Sequence, residues 1–144
     1  MPNTTEKILN QLTEDKTFTE ILEENKGSFS YKTIGEYISD AIHKNNTTKA
    51  RLIRESGINK RFFFDILANK KRPSRRYIIR IFLALELNLT DVQWYLKATD
   101  YPQLYARDKR DAVIIYCINH NIKVEECNRM LNKVGLENLG FENI

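Results

Sequence analysis

The spacing of the apolar residues constrains the fold of this chain more than any other feature of the sequence. Apolar side chains recur at intervals of three and four, and Gly and Pro together occupy only eight of the 144 positions. Apolar residues at i, i+3 and i+4 form one face of an α-helix, whereas a half-buried strand alternates apolar and polar residues. No stretch is a credible strand, so the sequence predicts an all-α protein.

Turn-forming and capping residues predict where the helices begin and end. A Gly27-Ser28 break closes an acidic N-terminal section with two short amphipathic helices, one containing Ile8 and the other Ile21. The helices predicted after this break run from about Thr33 to Asn45, from Thr47 or Thr48 to Gly57, over about residues 60–68 after the cap Asn59, from Pro73-Ser74 to about Leu85, from the cap Thr90 or Asp91 through Leu96, and near Asp108 to His120 and Val124 to Val134.

The basic residues are concentrated in one third of the chain. Residues 49–80 contain eleven Lys or Arg against only Glu55 and Asp65, a net charge of +9, whereas residues 1–48 carry −3 and residues 81–144 carry −2. A solvated basic face is the commoner explanation of a charge run. A local concentration of this size is nevertheless typical of a surface that binds a polyanion.

Inside this basic third, the turn Gly57-Ile58-Asn59 separates two short helices. In the second helix, Phe63, Ile66 and Leu67 form an inward stripe with i, i+3, i+4 spacing. The geometry of a helix then determines the outer face. That face contains Arg61, Phe64, Asp65 and Ala68, with Lys60 beside Arg61 in the first turn.

Two stretches of this basic third carry a family resemblance: Leu52-Ile53-Arg54-Glu55-Ser56-Gly57-Ile58-Asn59-Lys60-Arg61 and, after the Phe run, Ala68-Asn69-Lys70-Lys71-Arg72-Pro73-Ser74. With the Phe run, they resemble the phage-repressor and Cro-like (XRE) helix-turn-helix family over about residues 33–97. The turn and the basic loop ending in Pro73-Ser74 are the most specific parts of the match. The resemblance implies a compact helical bundle around a lambda-repressor-like helix-turn-helix, with extra N-terminal and C-terminal helices. It also implies a transcriptional regulator that binds specific double-stranded DNA sequences, with the helix at about 60–68 in the major groove.

The resemblance further implies two groups of DNA-binding residues. Lys60, Arg61 and Phe64 would contact base edges, since Lys and Arg donate to guanine and an aromatic ring packs on the thymine methyl group. Phosphate contacts need only positive charge and a hydrogen-bond donor. The implied phosphate-binding residues are Lys49, Asn69, Lys70, Lys71, Arg72, Arg75 and Arg76.

These patterns predict three parts: an N-terminal helical appendage at 1–30, a helix-turn-helix DNA-binding domain at 31–100, and a C-terminal helical hairpin at 101–144 that packs on it. A shift of 35 positions also aligns residues 73–105 with 108–140. Identical residues then coincide at Arg75 with Arg110, Ile79 with Ile114, Leu96 with Leu131 and Leu104 with Leu139. Each segment is predicted to be a helical hairpin, and the four identities indicate either a duplication or a chance match between two amphipathic helix pairs.

One helix-turn-helix contacts only a few base pairs, so we expect a homodimer, or a protein partner, that spans two half-sites about 34 Å apart. The C-terminal hairpin is the candidate interface, although its apolar residues would serve equally well to cover the core. Those residues are Val113, Ile114, Tyr116, Cys117, Met130 and Leu131.

The sequence has no constellation typical of an enzyme. It lacks a Gly-rich phosphate loop, an HExxH motif and a nucleophile elbow, so we expect no catalysis. Cys117 and Cys127 have no partner at metal-ligand spacing and are predicted to be buried free thiols, and His43 and His120 stand alone. We therefore expect no metal site and no cofactor. No membrane span or secretion signal is evident, which predicts a cytoplasmic protein.

An alternative function remains open. An exposed Phe64 is also what a protein-binding face would present. The chain would then be an interaction adaptor, an antitoxin or a signalling partner, that keeps the helix-turn-helix shape and uses Phe62 and Phe64 to grip a protein.

Overall fold

The computed structural model of the chain describes residues 4–25 and 32–142 and confirms the all-α prediction for them. The Gly27-Ser28 break lies outside these residues. Over the described ranges there are nine helices and no strand: α1 Thr4–Leu12, α2 Phe18–Glu24, α3 Ile34–Lys44, α4 Lys49–Ser56, α5 Lys60–Leu67, α6 Arg75–Ala84, α7 Leu89–Ala98, α8 Lys109–Asn119 and α9 Val124–Lys133.

The chain divides into two compact units, residues 1–32 and 33–144. In the first unit, α1 and α2 are joined by hydrogen bonds from the side chain of Asn25 to Gln11 and from Gln11 to the Glu24 carboxylate, the latter at 2.8 Å. The second unit contains both the segment predicted as a helix-turn-helix domain and the segment predicted as a C-terminal hairpin. One continuous hydrophobic core, from Ile38 to Leu139, joins them.

Side-chain caps explain where the helices begin. Thr33 and Thr48 each accept a hydrogen bond from a backbone N–H in the first turn of the helix that follows, and these caps match the predicted starts of α3 and α4. The prediction for α7 was wrong by about two residues. Asn88, rather than Thr90 or Asp91, caps that helix by accepting from the Asp91 N–H at 2.8 Å.

The core fixes the orientation of the middle helices. In it, α3 packs against α5 and α4 packs against α6. Leu52 on α4, Phe63 and Ile66 on α5, and Ile79 on α6 are all almost fully buried. Burial of each such side chain is worth about 1.5–3 kcal/mol. The inward stripe of α5 is therefore held firmly, which fixes the face that α5 turns to solvent.

Several features of the backbone recur at the predicted offset of 35 residues. The helices α7 and α9 have the same length and lie 35 residues apart. After α6, the N–H of Leu87 donates to the carbonyl of Phe82, and 35 residues later that of Ile122 donates to Cys117. The repeat extends to side chains: Arg75 Nε donates to the Pro102 carbonyl at 2.9 Å and Arg110 Nε to the Glu137 carbonyl at 3.0 Å. These shared features agree with the predicted duplication, which stays a prediction because α8 is one residue longer than α6 and begins 34 residues after it.

None of the helices in residues 4–25 and 32–142 combines the length and the apolar composition needed to cross a membrane.

Candidate nucleic-acid interface

The turn between α4 and α5 has the geometry that its glycine requires. Gly57 has φ of 68°, and its N–H donates to the Ile53 carbonyl at 3.2 Å. A left-handed residue of this kind commonly ends a helix and favours glycine. A Cβ at Gly57 would also lie 2.2 Å from the ring of Phe141, which covers the turn. Asn59 then caps α5 by accepting from the N–H groups of Arg61 and Phe62.

The outer face of α5 is the one that the sequence predicts. Phe63 and Ile66 are buried, Lys60 and Arg61 are exposed, and the ring of Phe64 is 41% exposed. In the part of the chain that the structure describes, the side chains of Lys60 and Arg61 have no hydrogen-bond or ion-pair partner. The three residues predicted to contact bases therefore lie together on one accessible surface.

The loop after α5 folds back on the helix that precedes it. The Lys70 N–H donates to the Asp65 carbonyl at 2.9 Å, which places Lys70 beside the last turn of α5. Asn69 has φ of 60°, and its Oδ1 accepts from the Gly35 N–H at 3.0 Å, so its side chain fixes the loop to the start of α3. Lys70 and Lys71 are exposed and, among the described residues, unpaired.

The charges at the helix N-termini set the middle third apart from the rest. A helix N-terminus carries a partial positive charge and is stabilised by acidic residues in its first turn. Six of the nine described helices have an acidic residue there. The exceptions are α4, α5 and α6, which have none and begin instead with Lys49, Lys60-Arg61 and Arg75-Arg76. Three consecutive helices thus add positive side chains to positive helix ends.

At α6 this positive charge is neutralised within the protein. Arg75 binds both carboxylate oxygens of Asp111 at 3.0 Å and donates to the carbonyls of Pro102 and Gln103. Burial alone would raise the pKa of Asp111, but the hydrogen bonds from Arg75 and from the Tyr105 N–H outweigh it and hold that pKa below its ordinary value. Four hydrogen bonds from one guanidinium give Arg75 a structural role that the sequence prediction did not include.

Arg72 and Arg76, the other two arginines predicted to bind phosphate, also make contacts within the protein. Arg72 Nη2 donates to the Thr99 carbonyl at 2.9 Å, and its guanidinium lies 4.4 Å from the centre of the Tyr101 ring. Arg76 donates to the Leu139 carbonyl at 3.1 Å and lies 3.6 Å from the Glu142 carboxylate. Both remain partly exposed, so the phosphate-binding prediction stays open for them.

Arg80 is the buried counterpart of these residues, and it is not among the cations that the sequence analysis assigns to phosphate binding. Its side chain is 0% exposed. Arg80 Nε donates to the Ser56 carbonyl at 2.9 Å at the end of α4, and Nη2 pairs with Glu142 at 2.9 Å. A cation is favourable at the negative end of a helix. Arg80 therefore joins the C-terminal tail to the helix that precedes the turn.

Arg54 is a candidate that the sequence prediction missed. It lies exposed on α4 and has no partner among the described residues. Its position in the basic third, opposite Leu52 and Ile53 of the core, was the signal available in the sequence. Together with residues predicted earlier it completes a set that we call the unpaired cations, the exposed Lys and Arg of residues 49–80 that have no partner in the described chain: Lys49, Arg54, Lys60, Arg61, Lys70 and Lys71.

The aromatic residues proposed for a protein interface have separate environments. Phe62 is half-buried and stacks on Tyr77, with 4.8 Å between ring centroids, so it faces the protein and only Phe64 faces outward. Three of the six candidate dimer-interface residues, Ile114, Cys117 and Leu131, are buried in the core and cannot form an interface. Cys127 is buried as well, and both cysteines are free thiols as predicted.

Over the described ranges, no group of three or more His, Cys, Asp or Glu side chains is placed to hold a metal ion. No protein-family model, curated protein or solved structure matches this chain.

Proposed function

We propose that this chain is a cytoplasmic transcriptional regulator that binds specific double-stranded DNA sequences with α5 in the major groove. The observation that supports the proposal most strongly is the charge at the starts of α4 and α5. Lys49, Lys60 and Arg61 stand at two positive helix ends without any acidic partner in the described chain. Helix N-termini of this kind readily bind anions.

The energetics favour an external anion over an unused surface. An opposite charge at a helix terminus is worth about 0.3–1 kcal/mol, and a like charge costs a similar amount. The protein tolerates this cost at α4 and α5 but offsets it at α6 with Asp111. Phosphates would remove the cost and release counterions from the duplex, which makes binding strongly salt-dependent.

The outer face of α5 has the chemistry to distinguish bases. Lys60 and Arg61 carry donors suited to guanine O6 and N7, and Phe64 offers an apolar surface for a thymine methyl group. The remaining unpaired cations would hold the backbone and set the register of α5 in the groove. Phosphate binding by Arg75 is not part of the proposal, since its donors are already engaged.

The adaptor alternative is not favoured by any contact in the structure. Its proposed pair of aromatic anchors is reduced to Phe64, because Phe62 stacks on Tyr77. We keep a homodimer or a protein partner as part of the proposal for reaching a second half-site. Of the six interface candidates, Tyr116 is the most exposed, at 49%.

The experiment is a selection from a random-sequence duplex library at about 100 mM salt, using the whole chain. We expect enrichment of a short motif. The double variant Lys60→Ala, Arg61→Ala should lose at least about 30-fold in affinity for that motif, because each contact to a base is worth about 1–3 kcal/mol.

The matched control is Arg129→Ala with Lys133→Ala, which removes the same charge from the exposed face of α9. It should retain the affinity of the wild type. No enrichment, or equal loss in the two double variants, would contradict the proposal and leave only a generally basic surface. Phe64→Ala with a protein partner would then be the next test.

A further inference from the structure

We propose that the segment from Thr99 to Lys109 forms a second DNA-backbone-binding surface, in which Arg107 and Lys109 contact phosphates flanking the site that α5 contacts. This inference rests on the proposed function. It assigns a role in binding to the linker that joins α7 to the start of α8, outside the turn between α4 and α5.

The linker is bound side by side with the basic loop that follows α5. Arg72 donates to the carbonyls of Thr99 and Asp100, at 2.9 and 3.1 Å. The Tyr101 hydroxyl donates to the Pro73 carbonyl. Arg75 then donates to the carbonyls of Pro102 and Gln103, both at 2.9 Å. Residues 72, 73 and 75 thus contact residues 99–103 in the same order, so the two segments run alongside each other.

This alignment continues to the two cations. The Tyr105 N–H donates at 3.0 Å to Asp111, the carboxylate that Arg75 binds. Arg107 follows Tyr105 by two residues, which span at most about 7 Å. Lys109 lies within one helical turn of Asp111 in α8. Both cations are therefore close to the start of α6, which directly follows the loop that contains Lys70 and Lys71.

Arg107 and Lys109 are available for an external anion. Both are exposed, and neither has a partner within the described ranges. Of the nearby acids, Asp111 is paired with Arg75, and Asp108 caps α8 by accepting from the Asp111 N–H at 2.9 Å. With Lys70, Lys71 and Arg72, the exposed cations outnumber the exposed acids Asp100 and Asp108 by five to two.

Duplex DNA is the partner that fits this arrangement. It carries one negative charge per about 1.7 Å of helix axis, so a positive surface that continues beside a phosphate-binding loop meets further phosphates. Contacts of this kind add affinity without adding sequence preference. The linker would therefore lengthen the bound segment of DNA and leave the motif selected by α5 unchanged.

The test measures affinity against salt, between about 50 and 200 mM, for the selected motif inside a duplex of about 30 base pairs and for the motif alone. The variants are Arg107→Ala with Lys109→Ala, and Arg129→Ala with Lys133→Ala as the control of equal charge. On the long duplex, we expect the first variant to lower the salt slope by about 2, one unit for each lost phosphate contact. On the motif alone it should equal the wild type.

Each other outcome overturns the inference in a distinguishable way. If the linker variant keeps the full slope while Lys60→Ala, Arg61→Ala loses binding, the inference is wrong and the proposed function stands. If the α9 control lowers the slope equally, the effect is one of overall charge, and the linker has no contact of its own. If the wild type binds no duplex, both are wrong. Thermal unfolding of each variant checks that the fold is retained.

Discussion

The cations at the starts of α4, α5 and α6 belong to one basic segment, but they differ in whether they have a partner within the protein. Lys49, Lys60 and Arg61 are exposed and unpaired in the described chain, whereas Arg75 is bound by Asp111 and two carbonyls. The same residue types at the same kind of helix end thus do two things. One group is left available to an external anion, and the other joins the start of α6 to the start of α8 through Asp111.

This difference teaches that local charge density alone does not define an interface. Seen as sequence, residues 49–80 carry +9 and form a single patch. In the structure the patch divides according to which cations have partners far along the chain. Substitutions of the paired cations should therefore lower the stability of the fold, and substitutions of the unpaired cations should lower the affinity for DNA.

The largest expected effect on stability is at the buried cation of this segment. Arg80→Ala should lower the free energy of unfolding by about 3–5 kcal/mol, because it removes a fully buried side chain and takes donors from buried carbonyls. The Ser56 and Leu139 carbonyls would both lose a donor. Arg54→Ala, an exposed change in the same segment, should stay within about 0.5 kcal/mol. Urea unfolding measures both, and equal losses would remove the distinction between the two groups.

Replacing the turn glycine, Gly57, should lower the free energy of unfolding less than replacing Arg80 does. It should lower it more than the same change at Gly135, another glycine with positive φ. Gly57→Ala combines a left-handed backbone with a clash against Phe141, and we expect a loss of about 3 kcal/mol. Gly135→Ala has a similar φ, 77°, but open space around the added Cβ, so the backbone cost of about 1 kcal/mol should stand alone. Thermal or urea unfolding tests the difference. Equal costs would mean that Phe141 does not hold the turn.

The Arg75–Asp111 pair should make part of the stability depend on pH. The pKa of Asp111 is lower in the folded chain than in the unfolded one, so its contribution is complete above about pH 4 and is lost as the pH falls through the folded value. Asp111→Asn should cost about 2 kcal/mol at pH 7, the worth of hydrogen bonds to a charged group. Below about pH 4 the wild type and the variant should converge. Stabilities that stay equally far apart down to pH 2 would contradict this role.

The smallest expected effect on stability is at the exposed, unpaired cations, and the sign of that effect is informative. Lys60→Glu places an acid at the positive end of α5 and should raise the free energy of unfolding by about 0.5 kcal/mol, while DNA affinity falls. Lys133→Glu, in the last turn of α9, should lower stability slightly and leave DNA affinity unchanged. A loss of stability in Lys60→Glu would show that Lys60 has a structural partner in solution.

Much of the fold followed from local signals in the sequence. The apolar stripe of α5, the Gly57 turn and the caps Thr33 and Thr48 each depend on residues within one or two turns of each other, and the structure confirms them. The repeat stays a prediction, with support from the equal lengths of α7 and α9.

The division of the cations could not be predicted in this way. The partners of Arg75 and Arg80 lie 36 and 62 residues further along the chain, and no local pattern links them. Phe62 was misjudged for a similar reason, since its stacking partner Tyr77 belongs to another helix. Which charges remain free is a property of tertiary contacts.

The most direct test of the central claim is the change in backbone amide chemical shifts of the whole chain when a duplex of about 20 base pairs, about two helical turns, is added. We expect the largest changes at Lys49, Lys60, Arg61, Phe64, Lys70 and Lys71, with little change in the core residues of α6 and on α9. Changes concentrated on α9 or on α7, or none at all, would contradict the assignment of the α4 and α5 N-termini as the DNA-binding surface.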